Sequence, residues 1–177
     1  AAPERTHCSI ALGGMTREGK VHGLVGYHGS LTVSEVVKVI DEVCNSEADP
    51  RAILIDPKSP AEVLIEPLEK LGWYVVPMKW ADVKSSTAAM LQGVDDKTYS
   101  MAASQIILDG FAYADLREDR EGGVAWSRQS GVISQVVALS FAMWGVARHA
   151  PLPKTGTIPA AMPAAVEATD IEPEFAF

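Results

Sequence analysis

The feature that most constrains the fold is a short apolar run, Ala52 to Ile55, which ends abruptly at Asp56. The run is too short for a helix and is apolar on both faces, which is typical of a buried central strand. A capping-box sequence, Ser59 to Glu62, then begins a helix that ends at Gly72, and residues 73–78 form another strand. This order of strand, helix and strand predicts a right-handed parallel crossover and therefore an α/β fold.

The N-terminal part of the chain predicts a β-hairpin. Two apolar runs, Cys8 to Leu12 and Val21 to His28, flank a polar turn that contains glycines. The intervening sequence, Gly14 to Val21, nearly matches a phosphate-binding loop. That loop needs a hydroxyl residue after Lys20 to hold magnesium and a helix that starts there, whereas Val21 opens a strand. The hairpin turn is the better interpretation, so we do not expect ATP hydrolysis.

Helical periodicity is the main pattern in the other segments up to residue 149. Apolar residues at helical spacing follow a capping box that begins at Thr32. The last strong segment is apolar almost all round, which predicts a buried helix. The predicted elements are a helix over 33–45, two helices over 85–109 separated at Gly93 and Asp95–Asp96, a charged loop over 115–123, a short apolar run over 124–128, and a helix over 134–148.

Composition limits the size and the class of the protein. The chain has 177 residues, of which 47% are hydrophobic, enough for one domain with a real core but not for two large domains. Residues 150–177 are rich in proline and alanine, acidic and without periodicity. We therefore expect one domain over 1–149 followed by an extended, flexible tail.

Charge and cysteine content exclude several classes. The formal net charge of -8 argues against a free-standing protein that holds nucleic acid with a basic surface. The two distant cysteines, Cys8 and Cys44, support neither a disulfide framework nor a zinc knuckle. No apolar stretch approaches the length of a membrane span, and the N-terminus has no signal core, so we expect a soluble, intracellular protein.

Asp56 is the residue whose position most suggests chemistry. Open α/β sheets place ligand-binding and catalytic groups at the carboxyl ends of their strands, just before a helix. The structural alternative is an aspartate that precedes Pro57 and accepts hydrogen bonds from local amides in a turn. Position alone leaves both interpretations open. The four histidines show no metal-binding spacing, and there is no serine-hydrolase motif.

Three stretches follow one another in a familiar order. They are residues 51–61, with the sequence Arg-Ala-Ile-Leu-Ile-Asp-Pro-Lys-Ser-Pro-Ala, residues 73–77, and Ala125 to Arg128 followed by the helix over 133–145. Together they resemble the C-terminal nuclease domain of a tailed-phage terminase large subunit, of the actinobacteriophage-like kind. The resemblance covers most of residues 1–149 and rests on order and spacing rather than on a single motif.

The resemblance implies a ribonuclease H-like fold, with a central mixed sheet, an antiparallel hairpin at one side and flanking helices. It also implies a metal-dependent endonuclease that cuts concatemeric viral DNA during genome packaging. Such enzymes bind two divalent ions, Mg²⁺ or Mn²⁺, which activate the attacking water and neutralise charge in the transition state. These ions prefer carboxylate oxygens. Asp56 matches the acid of the family's second-strand position, which makes it a candidate metal ligand and catalytic residue.

The sequence departs from the family pattern at the other two acids. The family's first acid precedes a segment like Ala1 to Arg5, and its third lies near the start of the final helix, where this chain has Val132. A lone Asp56 should not hold two magnesium ions. Either the chain is a fragment whose central first strand lies upstream, or another acid completes the site, or the domain has lost cleavage. The candidate acids are Asp109 as a catalytic residue, Glu62 as a metal ligand, and Asp119.

Four basic residues are candidates for binding DNA around Asp56, namely Lys58, Lys79, Lys84 and Arg128. The resemblance implies double-stranded DNA, the terminase ATPase domain, the small subunit and the portal as partners, in the host cytoplasm and without a membrane. Two alternatives stay open. One is a catalytically degenerate module with the same fold that docks onto DNA, the motor or the portal, and the other is a different ribonuclease H-like nuclease, such as a junction resolvase.

Overall fold

A computed structural model describes residues 7–46, 50–120, 122–127, 129 and 131–149. The elements in chain order are β1 (Cys8–Met15), β2 (Val21–Gly29), α1 (Val33–Cys44), β3 (Ile53–Ile55), a 3₁₀ helix (Pro60–Leu64), α2 (Ile65–Lys70), β4 (Val75–Pro77), α3 (Trp80–Asp95), β5 (Tyr99–Met101), α4 (Gln105–Tyr113), β6 (Asp115–Glu118), β7 (Val124–Ser127) and α5 (Ser134–His149). This arrangement confirms the predicted α/β class. The predicted tail over 150–177 and Arg128 lie outside the described residues.

The N-terminal hairpin forms as predicted. β1 and β2 pair in antiparallel fashion, and the turn between them is closed by the Thr16 amide, which donates to the Lys20 carbonyl at 2.7 Å. Gly19 adopts a φ of 79° in this turn, a left-handed conformation that suits glycine. The segment that nearly matches a phosphate-binding loop is therefore a hairpin turn.

The strands form three separately paired groups. β2 lies between β1 and β5, antiparallel to the first and parallel to the second. β3 and β4 pair in parallel, as the crossover predicts, and β6 and β7 form an antiparallel hairpin. Within the described ranges, β1 and β3 each have a single hydrogen-bonded neighbour, so each has one open edge.

β1 and β3 share the same two helical layers although they do not pair with each other. Cys8 and Ile10 of β1 pack in one apolar cluster with Ile53 of β3, together with residues of α1 and α2. On the opposite face, Ala11 of β1 and Leu54 of β3 pack against a second cluster that contains most of α5. The two small sheets therefore lie side by side in one layer between helices.

Contacts along α5 show which strand ends lie together. Ser9, near the start of β1, places its Oγ 2.8 Å from the Oγ of Ser134, the first residue of α5. Tyr74, just before β4, instead lies edge-on against the last residue of α5, and a Cβ on Gly145 would lie 3.1 Å from Leu54 of β3. β3 and β4 therefore run from the last turn of α5 towards its first turn. The start of β1, the end of β2, the carboxyl ends of β3 and β4 and the start of α5 gather at one end, which we call the Asp56 end.

Two glycines let α5 approach the sheet closely. A Cβ on Gly13 would clash with the Ala142 carbonyl, and one on Gly23 would lie 2.6 Å from Met143 and 2.7 Å from Leu139. The backbone clash makes glycine necessary at position 13, whereas at position 23 the Met143 and Leu139 side chains would have to shift to admit a Cβ. Close approach buries α5 almost all round, as its uniformly apolar sequence predicts.

The sequence-based prediction is wrong at three places between α2 and β7. α3 continues through Gly93 and ends at Asp95, so the expected break between two helices is confirmed at Asp95–Asp96 but not at Gly93, where the absent side chain leaves room for the Tyr99 ring. Tyr99 itself belongs to β5, a strand that the helical pattern over 85–109 did not predict. Asp115–Glu118 forms β6 instead of a loop, and because all four residues are exposed they lack the alternation that marks a strand.

None of the helices within the described residues is long and apolar enough to span a membrane.

Candidate functional site

Asp56 follows β3 directly, at the point where the Ile55 carbonyl accepts from the Met78 amide at 2.7 Å. One carboxylate oxygen of Asp56, Oδ1, accepts from the Lys58 amide at 2.9 Å, and the Asp56 carbonyl accepts from Ser59 Oγ at 2.7 Å. Asp56 therefore forms the local turn that the structural alternative predicts. The half-buried carboxylate also lies at the carboxyl end of a parallel strand, as the functional interpretation requires.

Two of the predicted DNA-binding lysines lie at the same end of the sheet. Lys58 follows β3 and Lys79 follows β4, so the parallel pairing of these strands brings both exposed residues to the Asp56 end. Lys84, on α3, instead donates to Asp119 at 2.6 Å, and the two side chains are only 19% and 21% exposed. This ion pair joins α3 to the turn of the β6–β7 hairpin.

Asp119, one of the three additional candidate acids, is thus paired with Lys84, and the other two occupy different elements. Glu62 is exposed in the 3₁₀ helix that follows Asp56, and Asp109 is exposed on α4, where its Oδ1 accepts from Gln105 Nε2 at 2.7 Å. Within the part of the chain that the structure describes, no three His, Cys, Asp or Glu side chains lie close enough together to hold a metal ion. Asp56, Glu62 and Asp109 therefore do not form a ready-made site with three ligands.

Asp109 lines a hollow of about 330 Å³ between α4 and the start of α5. Val132, at the position where the resemblance expects the family's third acid, lines the same hollow. Gln135 contributes a side chain that is almost completely buried, and its Nε2 donates to the Ile106 carbonyl at 3.3 Å. The remaining lining residues are His28, Tyr113 and Gly131.

His28 is connected to α5 through a chain of hydrogen bonds. Its Nδ1 lies 2.8 Å from Ser9 Oγ, which lies 2.8 Å from Ser134 Oγ. Burial lowers the pKa of His28, and the charge of His7, whose ring stacks at 5.5 Å, lowers it further. Burial disfavours the charged imidazolium, so His28 is neutral above its ordinary pKa of about 6.5.

The hollow was not predicted from the sequence. Ser9 and His28 lie opposite each other at the open end of the predicted hairpin, so their cross-strand pairing was the available signal. A register shift between Ile10 and Ala11 displaces that pairing from the one a regular hairpin would give. The other lining residues come from α4 and from the segment that begins α5, and only tertiary packing brings these together.

Several phage proteins of known structure have a similar arrangement of elements. The HK97 bacteriophage large terminase matches with a TM-score of 0.62 and 10% identity, over 82% of this chain and 40% of the terminase. The magnesium-bound large terminase nuclease from thermophilic phage G20c matches with a TM-score of 0.53 and 11% identity, over 81% and 82%. The large terminase nuclease domain of Thermus phage P74-26 matches with a TM-score of 0.51 and 15% identity, over 76% of this chain and 78% of that domain.

The chain has the fold of a phage large-terminase nuclease domain. This confirms the predicted ribonuclease H-like architecture. No protein-family model and no curated protein matches the sequence. The match covers 40% of the HK97 large terminase, so this chain spans less than half the length of that protein.

Structures of the G20c nuclease contain magnesium in one case and cobalt in another. Magnesium prefers oxygen ligands, among them carboxylates.

Proposed function

We propose that this chain is the nuclease domain of a phage terminase large subunit, which cuts concatemeric viral DNA with Mg²⁺ or Mn²⁺ as the cofactor. The observation that carries the proposal is the position of Asp56. Its carboxylate lies at the carboxyl end of β3, within a terminase nuclease fold, at the sheet end where β1 and α5 begin. Proposed partners are double-stranded DNA, the ATPase domain, the small subunit and the portal, in the host cytoplasm.

The described carboxylates do not fit a two-ion site as they stand. Asp56 and Asp109 are the acids that we assign to catalysis, and Asp56 and Glu62 those that we assign to metal binding. No group of three such side chains is close enough within the described residues, so we derive no reaction step through the ions. The proposal therefore requires at least one more ligand.

The open edges of β1 and β3 offer a place for that ligand. Both strands lie in one layer between the same helices, and each has one hydrogen-bonded neighbour among the described residues. A further strand that pairs with both edges would join the two small sheets into one. The resemblance implies that the family's first acid lies on such a strand, and this acid would then lie next to Asp56. We propose that this strand completes the domain over 1–149 and that residues 150–177 form a tail.

Exposed lysines would bind DNA at the Asp56 end. Lys58 and Lys79 follow adjacent parallel strands, and their side chains are exposed beside Asp56. Lysines that neutralise phosphates provide most of the affinity for DNA that is independent of sequence. We assign Lys58 and Lys79 to phosphate binding, and we keep Lys84 and Arg128 as further candidates.

Plasmid nicking in the presence of Mn²⁺ tests the proposal. Asp56→Asn removes the charge but keeps an oxygen that can accept from the Lys58 amide, so the turn should persist. We expect loss of nicking with an unchanged melting temperature. Asp95→Asn, which alters an exposed carboxylate at the end of α3, is the matched control and should retain nicking. Undiminished nicking by Asp56→Asn would contradict the assignment.

A catalytically degenerate module is the second candidate function. It is favoured by Val132 at the position of the expected third acid and by the absence of three clustered ligands among the described residues. In that case calorimetry should detect no Mn²⁺ binding, the protein should nick no plasmid, and DNA binding should persist. A preference for cleaving four-way junctions over linear duplex would instead indicate a resolvase.

A further inference from the structure

The hollow between α4 and α5 has walls suited to a flat, uncharged ring. Its volume of about 330 Å³ lies within the range of small-molecule sites, which is about 300–1,000 Å³. Tyr113 and Val132 are 57% and 45% exposed, so two large apolar side chains meet solvent there. A Cβ on Gly131 would lie 3.1 Å from the Tyr113 side chain, so this glycine lets the tyrosine lie against the loop.

Two polar groups of the hollow are hydrogen-bond acceptors without a positive charge beside them. Asp109 presents a carboxylate, and Gln135 Oε1 is buried without a hydrogen-bond partner among the described residues. The Gln135 amide is oriented by its Nε2, which donates to the Ile106 carbonyl. The lining residues that the structure describes include no lysine or arginine. The hollow therefore disfavours phosphate and favours a neutral group that carries N–H donors.

The remaining wall is the imidazole of His28. Ser9 holds the Nδ1 side of the ring, and the hydrogen bond from Ser9 to Ser134 fixes this arrangement relative to α5. The ring is therefore held in one position at the wall of the hollow. His28 precedes the last residue of β2, and Gln135 is the second residue of α5, which places the hollow at the Asp56 end.

We propose that this hollow binds an unpaired nucleobase of single-stranded DNA. A nucleobase offers a flat π surface for Tyr113, N–H donors on its edge for Gln135 and Asp109, and no charge. Stacking of bases on aromatic side chains is a general way of holding single strands and is tolerant of sequence. The idea rests on the proposed function insofar as the base belongs to a strand whose backbone passes Asp56, but the binding itself requires no cleavage.

The test compares two single-stranded decamers in EDTA, one of deoxyadenosine and one in which every nucleotide is abasic. Tyr113→Ala should weaken binding of the adenine decamer about tenfold, since one stacked base is lost. It should not change binding of the abasic decamer. Tyr74→Ala, which alters a tyrosine that is 63% exposed at the opposite end of the sheet, is the control and should bind both decamers like the unaltered protein.

Two outcomes would overturn the proposal. One is equal affinity of Tyr113→Ala and the unaltered protein for the adenine decamer. The other is an equal loss on both decamers, which would mean that Tyr113 contacts the backbone. Asp56→Asn separates this proposal from the proposed function, because it should abolish nicking and leave decamer binding intact. If Asp56→Asn nicks normally while the Tyr113 effect depends on the base, the proposed function fails and the base site stands.

Discussion

Trp126 Nε1 donates a hydrogen bond to Ser140 Oγ at 2.9 Å, across the contact between β7 and α5. The same hydroxyl donates to the Val136 carbonyl at 2.8 Å, one turn earlier in the helix. Ser140 is fully buried, so neither polar group can exchange its partner for bulk water. The Phe111 ring packs edge-on against Trp126, which extends this contact to α4. One serine therefore anchors the β6–β7 hairpin to the central helix.

We expect Ser140→Ala to destabilise the protein by about 1–3 kcal/mol, the cost of leaving a buried donor without an acceptor. Urea unfolding followed by tryptophan fluorescence measures the change. Adding Trp126→Phe removes the orphaned indole N–H, so the double variant should lose less stability than the sum of the two single variants. Additive losses would show that the hydrogen bond contributes little.

Gly13→Ala should destabilise the protein, whereas Gly14→Ala should not. A Cβ on Gly13 would clash with the Ala142 backbone carbonyl, which α5 holds in place, but no atom lies within 4 Å of a Cβ on Gly14. Overpacking of this kind costs about 1–3 kcal/mol. Thermal unfolding of the two variants provides the comparison within one strand. Equal melting temperatures would mean that α5 shifts to accommodate the methyl group.

Local signals were sufficient to predict the parts of the fold where one short segment determines its own structure. The Thr32 box is an example, because the Glu35 carboxylate accepts from the Thr32 amide at 2.7 Å and the helix starts at Val33 as expected. The hydrogen bond from the Thr32 hydroxyl and then that from the Thr32 amide lower the pKa of Glu35, which keeps this carboxylate charged. The Asp56 turn is equally local, since its acceptor and donor are two residues apart.

The errors arose where a distant contact decides the outcome. Gly93 looks like a helix breaker in sequence, yet the Tyr99 ring fills the space beside it and the helix continues. The hollow could not be predicted for a related reason, since β2, α4 and α5 contribute to it and no sequence spacing links them. The ion pair between Lys84 and Asp119 likewise joins residues that are far apart in sequence.

Single substitutions of Lys58 and Lys79 should weaken DNA binding uniformly across sequences. Each alanine variant should lower the slope of the logarithm of affinity against the logarithm of salt concentration by about 1, because one phosphate contact is lost. Fluorescence anisotropy with a duplex at several salt concentrations measures the slope. Lys70→Ala is the control, because Lys70 is exposed at the end of α2 and pairs with Glu66 at 2.6 Å. A reduction as large for Lys70 would show that the Asp56 end is not the DNA-binding surface.

The titration of His28 should make the stability of the protein depend on pH. Its pKa is lowered below 6.5 in the folded state, mainly by burial and then by His7, so the unfolded chain binds more protons between the two pKa values. The stabilisation is therefore fully present above about pH 6.5 and is lost as the pH falls through that value towards the folded pKa.

His28→Gln removes the titrating group, and its unfolding free energy should decline less steeply than that of the unaltered protein between about pH 7 and pH 5. Urea unfolding at four or five pH values in this interval measures both slopes. Both proteins contain all the carboxylates and all the other histidines, so a difference between the two slopes reports the loss of His28. Parallel slopes would contradict the prediction and would mean that the contact with Ser9 leaves the ring as accessible to protons as in the unfolded chain.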